Sequence, residues 1–390
     1  MRIGVGWAAL IVPLCAGLAA AQDQQLGART KAMGGSYTAF EDDPLSVWLN
    51  PAGIATQTDA AAIAYQTYPA YPVSKERGPG NTTIFSVEAE PILAEPELIP
   101  SYLGFVFQLA PQLALGLGYA RPYVLNYAMD EIVAPNQTVF EPDNEVQQAL
   151  SRFRVAIAKD FAFRESGFLT HLSIGLGLDV GFERWRFITP DGDVSDSAVA
   201  PGYGVGLLAA LYDNAGSFRV NVGAAFQSKV EYEFSVSPGF QPAFDMPQQL
   251  NVGATFYLLE GYRLRLTVDT QFIGWKETAA EPFFDDQPRF EDATNYSAGL
   301  EYRIDVSPTV RLYPRLGYRR FDAPWEDENN LPATAGFKLV LDTEDEAFDL
   351  LTFGLGISWT TAEGKLRSVD LAADVGGDAP NVALGYTHEF

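Results

Sequence analysis

The chain holds two histidines, His171 and His388, and one cysteine, Cys15, so few of its residues could carry catalysis or hold a soft metal. The histidines fall in different stretches with no His-x-x-x-His spacing, and neither a zinc site nor a Ser-His-Asp triad is expected. Cys15 sits in the N-terminal apolar run, so no disulfide or thiolate site is expected beyond it. Asp42 and Asp43 are adjacent carboxylates, the raw material of acid–base chemistry, but Pro44 follows them and a turn is the better reading. The acids of residues 191–196 lack the distal bidentate glutamate of a calcium loop. The glycine pairs Gly175–Gly177, Gly204–Gly206 and Gly354–Gly356 lie in alternating stretches with no helix after them, which makes them strand glycines rather than nucleotide loops. Neither an enzyme nor a cofactor or metal protein is expected.

Arginine offers a different chemistry. An apolar ligand ending in a carboxylate needs a long apolar slot and one or two cations at its charged end. Arg263 and Arg265 alternate with Tyr262, Leu264, Leu266 and Val268, so both should point away from the apolar face. They are the ligand-binding candidates. The competing reading is that such arginines pair with acids such as Asp179, Asp269 and Glu301 and brace the fold.

The elements that must position these residues are strands. From about residue 100 onward the chain alternates with period two. Leu172, Ile174, Leu176, Leu178, Val180 and Phe182 oppose Ser173, Gly175, Gly177, Asp179 and Gly181. Phe353, Leu355, Ile357 and Trp359 oppose Gly354, Gly356 and Ser358. Alternation alone fits a soluble sandwich, apolar inside, or a membrane barrel, apolar outside. The connections favour the barrel. Short ones fall near 110–111, 164–167, 213–216, 259–261, 305–308 and 362–364. Long ones fall near 122–150, 188–201, 228–247, 276–293 and 322–348. Alternating short turns and long loops are the outer-membrane pattern.

The expected fold is therefore all-β, a transmembrane antiparallel β-barrel of about fourteen strands. Residues 60–68 are preferred over 82–90 as the first strand. The last strand alternates through Val382, Leu384, Tyr386 and His388 to Phe390, whose aromatic ring is the expected contact with the barrel-assembly machinery. Residues 1–21 read as a signal peptide, with a basic start, an apolar run and Ala19-Ala20-Ala21 before Gln22. Residues 22–59 are irregular and well placed to fill the lumen, and residues 60–390 form the barrel. A net charge of −24 makes nucleic acid an unsuitable partner. The acids gather in loop-like stretches. The expected location is a bacterial outer membrane, with its lipid as a partner.

Residues 27–53 are similar to a known segment. Met33-Gly34-Gly35, Asp42-Asp43 and Asn50-Pro51-Ala52-Gly53 resemble the N-terminal hatch of the FadL/TodX family of hydrophobic-compound transporters. Further blocks of resemblance are 246–254, 266–275, 315–319, 352–356 and the terminal Phe390. His388 departs from the hydrophobic residue usual there. The resemblance implies a fourteen-stranded barrel with an N-terminal hatch, gated around Asn50, Pro51, Ala52 and Gly53. It implies passive uptake of hydrophobic small molecules such as long-chain fatty acids. PorV-like barrels, which bind secreted or surface proteins within a secretion system, begin in a similar way and supply the alternative function.

Overall fold

A computed structural model describes residues 26–390 other than 41, 67–74, 79–81, 92–98, 134–138, 141–143, 164–167, 191, 215, 236–244, 278–291, 323–347 and 376–381. The expected signal peptide lies outside the described residues.

Fourteen antiparallel strands form a closed wall: β1 (Ala60–Gln66), β2 (Tyr102–Ala110), β3 (Leu113–Val133), β4 (Asn144–Ala162), β5 (His171–Thr189), β6 (Gly192–Asn214), β7 (Phe218–Gln227), β8 (Gln248–Leu258), β9 (Leu264–Gly274), β10 (Ala293–Tyr302), β11 (Val310–Phe321), β12 (Phe348–Thr360), β13 (Leu366–Val375) and β14 (Val382–Glu389). Closure is by β1, which pairs with β14 from Ala60↔Glu389 to Gln66↔Ala383 and with β2 from Ala60↔Val106 to Ala64↔Tyr102. No wall edge is left for another chain to pair with. Residues Thr82–Pro91, the rival first strand, instead pair with the top of β3 through Ser86↔Val133.

The outward face is the lipid face. On β5, Ile174, Leu176, Leu178, Val180 and Phe182 are exposed, while Ser173, Gly175, Gly177, Asp179 and Gly181 between them are buried. Leu178 is 64% exposed, which only a lipid environment makes favourable when repeated around a wall. Exposed aromatic side chains lie toward both rims of the belt, among them Phe161, Phe163, Tyr302 and Phe390 at the short-turn end and Phe153, Phe182, Phe272 and Tyr296 nearer the other.

Strands β3 to β6 correct two loop expectations. The stretches 122–150 and 188–201 do not form long loops: β3 has 21 residues, β4 and β5 have 19 each, and β6 has 23. The apolar pattern stops at Phe182 and Val199, and Arg184, Asp193, Ser195 and Ser197 are exposed above them. The ladder does not stop, because Arg184↔Ser197 and Ile188↔Asp193 remain paired. A loss of amphipathic contrast marks where lipid ends, not where hydrogen bonding ends. At about 3.3 Å per residue these strands run about 70 Å, against about 35 Å for most of the others.

Residues 26–40 and 42–59 lie inside the wall. They form α1 (Ala28–Ala32), α2 (Ser46–Leu49) and a 3-10 turn (Pro51–Ile54). Leu26, Ala32, Met33, Phe40, Val47 and Ile54 are fully buried. Asn50 is extended, its side chain accepts from Ala52 N–H, and Pro51 opens the turn where no donor is needed. The segment approaches the wall at glycines. A Cβ on Gly175 would lie 2.4 Å from Ala52 N, one on Gly206 2.1 Å from Asn50 Oδ1, and one on Gly223 2.3 Å from Thr38 O. The sequence shows these as strand glycines, and the packing shows why they carry no side chain.

Candidate functional site

Going down the lumen from the long-loop end, the first layer is a packed cluster of buried apolar side chains. The wall supplies Tyr123, Leu150, Trp185 and Ile273, and Met246 and Trp275 join them just beyond strand ends. The chain after β7 turns inward and adds Val230, Tyr232 and Phe234. That inward turn is pinned by reciprocal Val230–Met246 backbone hydrogen bonds of 3.0 Å and by Ser235 N–H donating to Asp196 at 2.7 Å. Trp48 belongs to the same cluster and Leu49 packs against it, so the N-terminal segment bounds the cluster from below.

Beside Trp48 and Leu49 lies a cavity of about 40 Å³. Its wall side is a row of amides: Gln227, Gln249, Asn251, Gln271 and Asn295. The row follows from register, since Gln227↔Gln249, Asn251↔Gln271 and Gln271↔Asn295 are cross-strand pairs. Asn295 donates to Gln271 at 3.0 Å, and Arg319 donates to the same Gln271 oxygen at 3.1 Å.

The N-terminal segment meets the wall at two seats. The first faces β4 to β6. Arg154 grips Asp179 through Nε at 2.6 Å and Nη2 at 2.8 Å, and Arg152 donates to the same carboxylate at 2.6 Å. Arg154 Nη1 donates to the Trp48 carbonyl at 2.7 Å, and the two guanidiniums lie 5.3 and 4.9 Å from the Trp48 ring centre. Asn50 donates to Thr38 O at 2.7 Å and to Leu207 O at 3.1 Å, tying the turn both to its own segment and to β6.

The second seat faces β9 to β13 and is ionic. Glu301 accepts from Arg29 at 3.1 Å, Arg265 at 3.0 Å and Arg315 at 2.7 Å. Asp42 accepts from Arg29 at 3.0 Å and Arg265 at 2.7 Å, and Arg315 reaches Asp370 at 2.5 Å. Lys31, fully buried, pairs with Asp374 at 3.1 Å. Asp269 caps the segment, accepting from the Ser36 hydroxyl and from the N–H groups of Tyr37 and Thr38 at 2.8–3.0 Å. Burial works against the Asp42 carboxylate, but Arg265 and Arg29 hold it below its ordinary value. Burial pushes the neighbouring Asp43 the other way, above its ordinary value. Beneath this seat opens a cavity of about 420 Å³ at the short-turn end, lined by Asp42, Arg265, Tyr313, Arg367 and Asp370 among others.

The two arginine candidates part company. Arg265 points inward and stacks 5.2 Å from the Tyr257 ring, with both of its acid partners bound. Arg263 lies in the turn before β9, half exposed, and pairs with Asp305 at 3.3 Å. Asn50, Pro51, Ala52 and Gly53 are all buried at the first seat. Asp269, read from sequence as an arginine partner, binds the segment's backbone instead. Of the acids at 191–196, Asp191 lies outside the described residues, Asp193 pairs with Arg186, and Asp196 accepts from Ser197 and Ser235. Arg29, Lys31, Trp48 and the amide row were missed. Cross-strand register, which no single stretch displays, is what brings the amides together.

No protein-family model and no curated protein sequence matches the chain. Solved structures do. A FadL homologue from Pseudomonas aeruginosa superposes with a TM-score of 0.58 at 11% identity, covering 94% of this chain and 98% of its own. A TodX mutant described as a monoaromatic hydrocarbon channel gives 0.60 at 15%, covering 95% and 100%. The Pseudomonas putida toluene transporter TodX gives 0.57 at 14%, covering 93% and 98%. With its closed wall, its lipid-facing belt and these superpositions, the chain has the fold of the FadL/TodX outer-membrane channels, a fourteen-stranded barrel.

Proposed function

We propose that this barrel lets hydrophobic small molecules cross the outer membrane passively, and that residues 22–59 are its hatch. The carrying observation is the stacking of layers in the lumen: a packed apolar, aromatic-rich cluster ends on Trp48 and Leu49 of a segment that plugs the way down. The solved structures named as toluene and monoaromatic hydrocarbon channels share the barrel fold and support the reading.

In this reading long-chain fatty acids and small aromatic hydrocarbons are the first substrates to test. The gate is the Asn50-Pro51-Ala52-Gly53 turn. Arg265 becomes a ligand contact only after the hatch moves, because Asp42 of the hatch holds it until then. Arg263, at the turn below, is the last contact before the periplasm. Phe390, packed edge-on against Phe107 at 6.0 Å, is the handle for the assembly machinery. The test is uptake of radiolabelled oleate and toluene by cells lacking their own hydrophobic channels. The intact chain should raise uptake of at least one probe. Deleting residues 22–53 should change that rate, and an unchanged rate would remove the gating role. No gain with the intact chain, together with secreted proteins co-purifying on the barrel, would shift the function to protein binding.

A further inference from the structure

The amide-lined cavity beneath the apolar cluster is built to be filled by something polar. Four of its lining side chains are at least nine-tenths buried and hold polar atoms with no hydrogen-bond partner among the described residues: the hydroxyls of Thr30 and Tyr37, Gln227 Oε1 and Gln249 Nε2. Asn251 Oδ1 is a fifth such atom. Donors and acceptors are both present, on the hatch and on the wall. A buried polar atom left unsatisfied is costly, and native interiors hold few of them. Five around one cavity form a cluster that calls for an occupant.

The charge around the cavity narrows the occupant. Its lining has one cation, Arg319, and one anion, Asp269. Arg319 is committed to Gln271 and stacks 5.5 Å from the Phe321 ring. Asp269 is committed to the hatch. What remains are neutral amides and hydroxyls. They suit a group that both donates and accepts and carries no net charge.

Position supplies the rest. Ile273 follows Gln271 by two residues on the inward face of β9, and Ala293 precedes Asn295 by two on β10. Both belong to the apolar cluster, as does Trp48, which also lines the cavity. A volume of about 40 Å³ takes a hydroxymethyl or a carbonyl, not a whole ligand. We infer that this cavity is a head-group site, which seats the hydroxyl, carbonyl or amide of an uncharged molecule whose apolar body packs among the side chains of the cluster above. The inference rests on the channel reading and deepens it. It makes the preferred substrate a neutral amphipath rather than a carboxylate.

Toluene, benzyl alcohol and benzoate share a ring and differ at the head, so they separate the possibilities. Each is titrated calorimetrically at pH 7.5 into the full chain held in amphipol. Benzyl alcohol should bind about tenfold more tightly than toluene, the return from one or two well-made hydrogen bonds, and benzoate should bind more weakly than the alcohol. Gln249→Leu and, separately, Tyr37→Phe should erase the alcohol's advantage while leaving toluene affinity within about twofold. Tyr37→Phe removes only an unpartnered hydroxyl, whereas Gln249→Leu also removes the acceptor of a 3.3 Å hydrogen bond from Gln271, so the tyrosine variant is the cleaner of the two. Benzoate binding as tightly as the alcohol would overturn the preference for a neutral head. Equal affinity for alcohol and toluene, or an advantage that survives both substitutions, would show that the cavity holds water alone; the channel reading would stand. No binding of any of the three, together with no uptake of toluene or oleate, would remove the channel reading and the head-group site with it.

Discussion

The two seats of the N-terminal segment hold it by different physics. At the first, the wall offers cations and the segment offers carbonyls, an aromatic ring and bare backbone, pressed against glycines on β5 and β6. The counter-charge, Asp179, belongs to the wall, so the ion cluster would persist if the segment left. At the second, charges of both signs come from both sides: Arg29, Lys31 and Asp42 from the segment, and Arg265, Glu301, Arg315 and Asp374 from the wall. Removing the segment there would leave Glu301 with two arginines instead of three and Asp374 without Lys31. A contact made of shape and carbonyls is insensitive to salt and pH, whereas one made of crossed charges responds to both. The first seat therefore reads as the anchor and the second as the part that can be released.

The largest test of that contrast is Asp179→Ala. The side chains of Arg152, Arg154 and Asp179 are all within 1% of full burial. Stripping the carboxylate leaves two guanidiniums side by side in the dry lumen, and breaking a buried network this way costs about 3–5 kcal/mol. Urea unfolding in detergent, followed by tryptophan fluorescence, should show a loss of that size with little salt dependence. A loss smaller than that of Glu301→Gln would invert the assignment of anchor and release.

Glu301→Gln is next. It keeps the shape and one acceptor but removes the charge that three arginines share. Charge-assisted hydrogen bonds are worth about 1.5–3 kcal/mol, and the expected loss falls in that range. Because the segment's Arg29 is one of the three, hydrogen exchange should speed up in residues 27–33 before it does in residues 46–53. Equal acceleration in both stretches would mean that the segment moves as one body.

Gly206→Val probes the first seat by addition. The new side chain would begin 2.1 Å from Asn50 Oδ1. Overpacking of this kind costs about 1–3 kcal/mol, and with the wall closed by fourteen ladders the segment is what must yield. Single-channel conductance should rise from a closed baseline. A silent variant would mean that the turn can shift without opening the lumen.

How much of this could be read beforehand follows from where each signal is stored. The wall was legible because each strand carries its own two-faced pattern: Ile174 to Phe182 against Gly175 to Gly181 needs no partner to be recognised. The expectation that residues 22–59 fill the lumen came from their irregular composition and from the resemblance of 27–53, not from periodicity. The upper halves of β3 to β6 were not, because Arg184 and Ser197 face water outside the lipid belt and look like loop. The second seat was half legible. Arg265 stood among the inward arginines and Glu301 among the acids that could pair with them, but Arg29, 272 residues from Glu301, could not be linked to it from sequence. The amide row was invisible for the same reason: Gln227, Gln249, Gln271 and Asn295 are ordinary inward residues until register sets them side by side.

The finest distinction between the seats is in their response to acid, and it separates two adjacent residues. Asp42 has a carboxyl held below its ordinary value of 3.8 by Arg265 and Arg29 against the cost of burial. The folded state prefers it charged, so its contribution is complete above that value and is lost as pH falls through the lower, folded value. Asp43 is shifted upward by burial. The folded state prefers it protonated, so its contribution is present at and below the ordinary value and is lost as pH rises through the raised one. Between the two folded values both residues favour the seated segment. Protection of residues 42–47, corrected for intrinsic exchange, should therefore rise as pH falls through the raised Asp43 value and fall again as pH drops below the ordinary carboxylate value of 3.8 through the lowered Asp42 one. Asp43→Asn should flatten the upper limb and Asp42→Asn the lower one. Residues 48–53 meet the wall through carbonyls and the Asn50 amide, which do not titrate, so their protection should stay level across the upper limb. A matching rise there would show that the seats are coupled, and the division into anchor and release would fail.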